Sequence, residues 1–314
     1  MPTEYSLDAV HVHYSWDNSL SPRLVVDAGD TIVVETRDSS DLYYNVNSSH
    51  ADVARKGALQ GHPLTGPIYV RDAKPGDCLV VEVLDVTPRD GFGWTAIRPG
   101  RGLLPQEEFP EPFLQIWDLS SGHTAHMPQR EDVAIPVEPF PGIIGTALRA
   151  PGAHSTIPPR ENGGNLDLRH LTRGSKLYLP ISVPGALLSV GDAHAAQGDG
   201  EVCITAIEMS ATMILRLDLH PGRAPHEPCL RTAGPLCTRT NTRPYFATTA
   251  HGPDLFDCSR RAIRYLIEHI VAERGLSREE AYVLCSVCSD LKITQIVDAP
   301  NWSVAAFLPD AVFP

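Results

Sequence analysis

The stretch that decides the fold is residues 176–201, which read KLYLPISVPGALLSV up to Val190 and continue as GDAHAAQGDGE from Gly191. The first part is aliphatic and β-branched, which predicts extended chain. The second part places three carboxylates, an imidazole and a carboxamide among glycines and alanines. Because such a cluster cannot build a hydrophobic core, we expect a polar site where one strand ends, with the next strand at residues 202–208.

The first two thirds of the chain read as a series of short strands. Segments such as residues 31–36 and 78–84 are β-branched and bounded by glycine, aspartate or proline. Turns at residues 28–30, 74–77 and 172–175 each lead into such a strand and suggest one sheet system. The pattern predicts a mainly β fold with a sandwich-like or barrel-like core.

The C-terminal part has a different periodicity. Apolar residues recur at helical spacing from about residue 254 to a stop at Gly275, and Ser277 with Glu280 fits a capping box for a second helix. Two more strands are predicted around residues 292–297 and 303–307. We therefore expect one unit over residues 1–314, with a β-rich core at about 1–218 and 290–314, a helical insertion at about 254–288 and a small α+β C-terminal part.

Composition excludes several classes of function. The chain has 26 Lys and Arg against 38 Asp and Glu, a formal charge of −12, which argues against nucleic acid as a partner. Its apolar runs are too short to span a membrane and its N-terminus lacks the pattern of a secretory signal, so a cytoplasmic location is expected. The seven cysteines are typical of reduced thiols. Cys285 and Cys288 have CxxC spacing in an apolar segment, which favours packing over a redox or zinc role.

Two residues of the polar cluster form half of a metal site. Asp192 and His194 are two positions apart, so strand geometry would send both side chains to one face of the sheet. Carboxylates from elsewhere would have to complete the ligand set, and the candidates are Glu35, Asp38 and Asp167. For Glu35 and Asp38 the alternative is a pair of solvated residues at a sheet edge.

Other polar loops are candidates for contact with a substrate. His62 and Thr65 lie in a segment stiffened by two prolines and two glycines, which is either a structural turn or a shaped wall. The run NGGN at residues 162–165 can turn tightly and expose amide groups, so Asn165 would suit an amide substrate. Gln197 is a second carboxamide that could hold a tetrahedral oxyanion or a substrate NH2 group.

Taken together, these motifs resemble the acetamidase/formamidase family, and they occur in family order over most of the chain. The resemblance rests on GD at 29–30 with ETRD at 35–38, HPLTGP at 62–67, PGD at 75–77, PGIIG at 141–145, NGGNLD at 162–167, GDAHAAQGDGE at 191–201 and DLKITQIV at 290–297. It implies a mostly β fold with an added α+β part, hydrolysis of short aliphatic amides to carboxylate and ammonia, a divalent metal such as zinc, and dimers or larger homo-oligomers. It also implies that some relatives open lactams. Residues 98–126 match no family motif.

The residue types favour water activated by a metal ion. Amides resist neutral water, and the sequence has no G-x-S-x-G elbow for a serine nucleophile. A bound divalent ion lowers the pKa of water to about 7 and polarises the amide oxygen. An imidazole with oxygen ligands suits zinc, which is the first choice here, or manganese, whereas an all-carboxylate set would suit calcium.

Glu201 is the candidate general base, which would later return its proton to the departing amine. In the competing assignment Glu201 is a ligand and Asp199 is the base. Two alternatives to a linear amidase also stay open at this point. One is a cyclic amide hydrolase with the same machinery and a wider pocket, and the other is a noncatalytic β module that contains a metal ion.

Overall fold

The computed structural model describes residues 3–57 and 60–314. Its helices are α1 (His50–Arg55), α2 (Leu255–Arg274) and α3 (Arg278–Cys288), with a 3-10 turn at Asp310–Val312. Its strands are β1 (Glu4–Leu7), β2 (Ser15–Trp16), β3 (Leu24–Val26), β4 (Thr31–Thr36), β5 (Leu64–Val70), β6 (Cys78–Pro88), β7 (Phe92–Ile97), β8 (Phe113–Asp118), β9 (Thr124–Met127), β10 (Arg130–Pro136), β11 (Phe140–Gly145), β12 (His154–Ser155), β13 (Gly163–Asn165), β14 (Lys176–Pro180), β15 (Leu188–His194), β16 (Glu208–Met209), β17 (Ala211–His220), β18 (Cys229–Arg231), β19 (Tyr245–Gly252), β20 (Asp290–Gln295) and β21 (Trp302–Pro309).

A six-stranded sheet runs in the order β1-β4-β17-β6-β14-β18. The three turns that the sequence singles out lead into β4, β6 and β14, so the expectation that they belong to one sheet is confirmed. The strands alternate buried and half-exposed positions, as β4 does from Thr31 to Thr36. The buried set includes Val34, Val81 and Leu215, which pack toward the second sheet.

A ten-stranded sheet provides the other half of the core. Its path is β10-β9-β8-β7-β16-β15-β11-β13, and β5 joins it by pairing with β15 while β3 pairs with β5. Ile68, Ile144 and Val190 from this sheet belong to the same buried cluster as the core residues of the six-stranded sheet. The mainly β prediction is therefore confirmed, and β15 lies in the interior of the larger sheet.

The C-terminal part combines helices with a three-stranded sheet of order β19-β21-β20. Asp254 caps α2 by accepting a hydrogen bond from the Asp257 amide, and Gly275 ends it with φ +62°. Ser277 and Glu280 form the predicted capping box of α3. Both helices are as expected. Among the described residues, no helix has the length and apolar character needed to cross a membrane.

Residues 202–208 do not form the expected strand, and only Glu208 and Met209 pair as β16. The backbone of this segment is bonded by side chains of α3 instead. The Tyr282 hydroxyl donates to the Val202 carbonyl at 2.5 Å, and the Cys203 amide donates to Ser286 Oγ at 3.1 Å. Because every buried backbone group needs a partner, these bonds replace the strand ladder and leave residues 195–207 as an ordered loop.

Candidate active site

β15 and β16 bring together three buried ionisable side chains. Asp192 and His194 end β15, and Glu208 lies directly opposite His194 in the antiparallel pairing with β16. His194 Nε2 lies 3.6 Å from Asp192 Oδ1 and 3.5 Å from Glu208 Oε1. Each of the three residues is at most 3% exposed. Cross-strand pairing therefore places an imidazole nitrogen between two carboxylates inside the protein.

The hydrogen bonds of His194 define which nitrogen is available. Nδ1 lies 2.8 Å from Gln197 Oε1, while the amide nitrogen of Gln197 donates to the Asp167 carbonyl at 2.7 Å. Since Gln197 Oε1 can only accept, Nδ1 carries a proton, and Nε2 is the nitrogen left for a metal ion or a second proton. Within the described chain, His194 Nε2 and Asp192 Oδ1 are buried without a hydrogen-bond partner. Gln197 thus lies against His194 and orients it.

This donor set fits a divalent metal ion. An imidazole nitrogen and carboxylate oxygens are ligands that zinc and manganese accept, and the ligand atoms of Asp192, His194 and Glu208 lie within 4.8 Å of one another. Glu208 is held in place, because Oε2 accepts from the Ser39 hydroxyl at 2.6 Å and Oε1 from the Ala206 amide at 3.0 Å. Two orphaned buried atoms and a braced carboxylate indicate a cation site.

The electrostatics of this group lead to the same conclusion. Burial lowers the pKa of His194, but the negative charges of Glu208 and Asp192 outweigh it and raise this pKa well above its usual value. Burial raises the pKa of Glu208, and the charge of Asp192 adds to the rise. The three buried groups therefore require a positive charge among them, which either a proton or a metal ion supplies.

A second pair of carboxyl groups lies on the other side of His194. Burial raises the pKa of Asp167 to about 7, and burial together with the charge of Asp167 raises the pKa of Glu201 well above its usual value. Asp167 Oδ1 lies 4.0 Å from His194 Nδ1, the nitrogen already engaged by Gln197. This side lacks a free imidazole lone pair, so its two carboxyl groups are suited to hold a proton.

Three of these carboxylates sit on a strained backbone. Asp167, Asp192 and Glu201 have φ values of +46°, +51° and +43°, a left-handed region that non-glycine residues rarely adopt. Glycine makes room beside them, since a Cβ on Gly142 would lie 2.6 Å from the Asp192 carbonyl oxygen and 2.9 Å from His194 Nε2. Strain of this kind concentrates at functional sites, where the surrounding structure holds it.

Both pairs of acidic residues line one cavity of about 570 Å³. Asp192 and Glu208 form its floor together with Asp167 and Glu201. The remaining lining residues are Ser39, Val53, Ala54, Gly57, His62, Arg98, Pro99, Arg101, Pro112, Ile157, Asn165, Ile204 and Thr205. A cavity with an acidic floor and partly apolar walls is suited to a small polar molecule.

His62 and Asn165, which the sequence suggests as substrate contacts, both line this cavity. His62 Nε2 lies 3.9 Å from Asp192 Oδ2, and burial lowers the pKa of His62 to about 4, so its imidazole is neutral at pH 7. Asn165 donates to the Ile157 carbonyl at 3.0 Å, whereas its Oδ1 has no partner among residues 3–57 and 60–314. Asn165 therefore lines the cavity, and its amide oxygen is buried without a hydrogen-bond partner in the described part of the chain.

Asp38 is buried behind Glu208 instead of lining the cavity. One of its oxygens accepts from the Ser40 amide at 2.7 Å and from the Trp94 indole at 3.2 Å. Burial raises the pKa of Asp38. Hydrogen bonds already engage this carboxylate, so it supports the loop that contains Ser39 and Ser40.

Three other sequence candidates lie away from the cavity. The alternation of β4 turns Glu35 outward, where it pairs with Arg89 at 3.4 Å. Thr65 is buried and donates to the Glu35 carbonyl at 2.7 Å. Asp199 lies beside Asp290, and burial and then the charge of Asp290 raise the pKa of Asp199. Among residues 3–57 and 60–314, no hydrogen bond or ion pair joins any of the three to the floor carboxylates.

Sequence reasoning missed Glu208, Ser39 and Arg98. Glu208 has one visible signal, because it is the only charged residue in the otherwise apolar run of residues 202–208. A lone carboxylate in such a run is buried with a partner or a metal. Ser39 and Arg98 give no comparable signal, since their place in the cavity depends on loop conformation.

Comparisons with known proteins agree with the geometry. The sequence profile of the Acetamidase/Formamidase family matches residues 3–151 and 148–314. The acetamidase of Mycolicibacterium smegmatis is 32% identical over 274 residues, covering 68% of this chain and 67% of that protein. The formamidase of Methylophilus methylotrophus is 29% identical over 366 residues, covering 96% of this chain and 89% of that protein. Among solved structures, the gamma lactamase from Delftia acidovorans superposes with a TM-score of 0.89 at 26% identity, covering 98% of this chain and 93% of that one.

Proposed function

Because the chain belongs to the acetamidase/formamidase family and hydrolyses short-chain amides to carboxylate and ammonia, we propose that it does so with a divalent metal ion held by Asp192, His194 and Glu208. The observation that supports this most strongly is His194 Nε2, a buried lone pair between two carboxylates with no hydrogen-bond partner among the described residues. Zinc is the first choice, since one imidazole nitrogen with carboxylate oxygens suits it, and manganese is second. Calcium prefers an all-oxygen set and ranks last.

The bound ion would lower the pKa of water and polarise the amide carbonyl. Other side chains of the protein hold the metal ligands in place and orient the substrate. Gln197 holds His194 Nδ1, and Ser39 holds Glu208, so both donors are fixed before an ion enters. Asn165 Oδ1 can accept a hydrogen bond from the substrate NH2 group and orient the amide over the floor.

Glu201 takes the proton of the attacking water and returns it to the departing amine. Burial raises the pKa values of Glu201 and Asp167, and the charge of Asp167 raises that of Glu201 further, so the metal-free pair retains a proton near neutral pH. A cation beside the pair would lower both pKa values and leave Glu201 ionised as the base. Both side chains line the cavity. The competing assignment, with Asp199 as the base, has less support because Asp199 lies beside Asp290 and away from the floor.

The test is ammonia release from formamide, acetamide and propionamide, together with metal content, for Glu201→Gln and the control Asp199→Asn. We expect Glu201→Gln to retain its metal and lose about 10²–10⁴-fold in kcat, the usual range for removal of a general acid–base group. Asp199→Asn should stay near wild type in both measurements. Loss of metal from Glu201→Gln, or an equal loss of kcat in Asp199→Asn, would reverse the two roles.

A second candidate substrate class is cyclic amides. The specific observation that favours it is the TM-score of 0.89 with the gamma lactamase from Delftia acidovorans over 98% of this chain. The cavity of about 570 Å³ also has room for a ring. A γ-lactam panel followed by product amino acid would establish this activity, and turnover of linear amides alone would exclude it.

We also propose a homodimer or larger homo-oligomer, a cytoplasmic location and one folding unit over residues 1–314. Ile293 and Val297 at the C-terminal sheet are 58% and 79% exposed, which supports an interface there. The free thiols of all seven cysteines suit a reducing compartment. Light scattering of the purified chain tests the first point, and a mass equal to one chain would contradict it.

A further inference from the structure

Two arginines in the lining of the cavity have no acidic partner among the described residues. Arg98 and Arg101 line it from the segment that follows β7, and Arg98 is half-buried while Arg101 is exposed. In the part of the chain that the structure describes, neither forms an ion pair within 4.0 Å, although eleven other arginines do. Amide hydrolysis at the floor does not use this positive charge.

Arg98 lies close to the groups around the cavity. Its charge is among the causes that lower the pKa of His62 and of Lys56, and it opposes the rise that burial imposes on the pKa of Tyr44. A half-buried guanidinium without a carboxylate partner is a preformed anion site. The planar fork of arginine suits a carboxylate, which it binds through two parallel hydrogen bonds.

The size and walls of the cavity indicate a substrate longer than acetamide. Cavities of about 300–1,000 Å³ typically hold drug-sized ligands, and this one measures about 570 Å³. Apolar side chains of Val53, Pro99, Pro112, Ile157 and Ile204 line it together with the charged groups. Formamide or acetamide would leave most of this apolar surface in contact with water, whereas a methylene spacer would cover it.

We propose that Arg98 binds a carboxylate at the far end of the substrate, so that monoamides of dicarboxylic acids are preferred over neutral amides of the same length. This inference rests on the proposed function, because it requires the scissile amide to sit at the acidic floor. The floor itself enforces the orientation. The ionised member of the Asp167–Glu201 pair repels a substrate carboxylate while Arg98 attracts it, which favours entry of the amide end and leaves the anionic end beside Arg98.

The test compares succinamate with isocaproamide, in which an isopropyl group replaces the carboxylate at the same chain length. We expect wild type to favour succinamate about 10–100-fold in kcat/KM, the range expected of charge-assisted hydrogen bonds. Arg98→Gln should remove most of this preference, and Arg98→Lys, which retains the charge without the fork, should lose part of it. Arg149→Gln removes the same charge from an exposed position outside the cavity and should behave as wild type.

Equal kcat/KM values for the two amides in wild type would overturn the proposal. An equal loss of kcat/KM for both amides in Arg98→Gln would also overturn it, because Arg98 would then act on the reacting amide or on the fold. A calorimetric titration of succinate separates this inference from the proposed function, because it needs no turnover. If no amide were hydrolysed, acetamide included, the proposed function would fail. Binding of succinate to wild type but not to Arg98→Gln would still support the anion site, and equal binding would refute it.

Discussion

Two pairs of acidic residues flank His194, and the two pairs lie in different environments. Asp192 and Glu208 are almost completely buried around a free imidazole lone pair, and hydrogen bonds hold Glu208 in place. Asp167 and Glu201 are half-exposed to the cavity and face the protonated side of the ring, and the pKa values of both are raised. A shared histidine therefore separates a position suited to a cation from a position suited to a proton.

The difference shows how one small region can perform two kinds of chemistry. Hydrogen bonding at one ring nitrogen decides which side of the ring is available to a metal. The pKa of a carboxyl group then depends on its neighbour, since a cation lowers it and a second carboxylate raises it. Substitutions in the two pairs of acidic residues should therefore have different effects, and the largest is expected at the cation position.

Replacing Asp192 by Asn should remove both the metal and the activity. The substitution retains the size of the side chain but takes one negative charge from the cation position. We expect a loss of metal affinity greater than the 10–100-fold that follows removal of a residue that only supports a ligand. Metal content after dialysis measures this, and Asp199→Asn is the control outside the cavity. A metal content equal to wild type would show that the ion binds elsewhere.

Replacing Gly142 by Ala should disturb the cation position without unfolding the protein. The added Cβ would lie 2.6 Å from the Asp192 carbonyl oxygen and 2.9 Å from His194 Nε2, so the ring has to move. Overpacking of this kind typically costs about 1–3 kcal/mol. Gly91→Ala is a matched control, since a Cβ there has nothing within 4 Å. Metal affinity should fall only in the Gly142 variant, and equal affinities would show that the ring has room to adapt.

Replacing Asp167 by Asn should stabilise the metal-free protein increasingly as the pH rises. Burial raises the pKa of Asp167 from 3.8 to about 7, so its contribution to stability is complete below pH 3.8 and is lost as the pH rises through about 7. An asparagine at this position does not ionise, so the variant does not lose this stability as the pH rises. The Tm of the variant minus that of wild type should therefore grow from pH 5 to pH 8, by about 2–4 °C for each kcal/mol. A difference that shrinks over this range would contradict the raised pKa.

Local sequence patterns predicted the elements with a short-range cause. The caps of α2 and α3 depend on residues within four positions. Asp192 and His194 are two positions apart in β15 and lie close together as predicted, although Asp192 has φ +51° and departs from regular strand geometry. The prediction was wrong for residues 202–208 because helix α3, about eighty residues further along, supplies the hydrogen bonds that a neighbouring strand would have made.

The ligand set was harder to predict because it depends on sheet register. Glu208 reaches His194 only through the pairing of β15 with β16, and no pattern within residues 188–209 fixes that register. Glu35 was a weaker candidate for the same reason, since β4 belongs to the six-stranded sheet and turns this side chain away. His62 and Asn165 both line the cavity, His62 from the loop before β5 and Asn165 from the end of β13.

The most direct test of the metal assignment is the position of the ion in a crystal of the protein loaded with zinc or manganese. Anomalous scattering locates the ion independently of any assumed ligand. We predict a peak bonded to His194 Nε2 and to carboxylate oxygens of Asp192 and Glu208, with Nδ1 still bonded to Gln197. A peak at the Nδ1 side of the ring, bonded to Asp167 and Glu201, would contradict the account and make Glu201 a ligand.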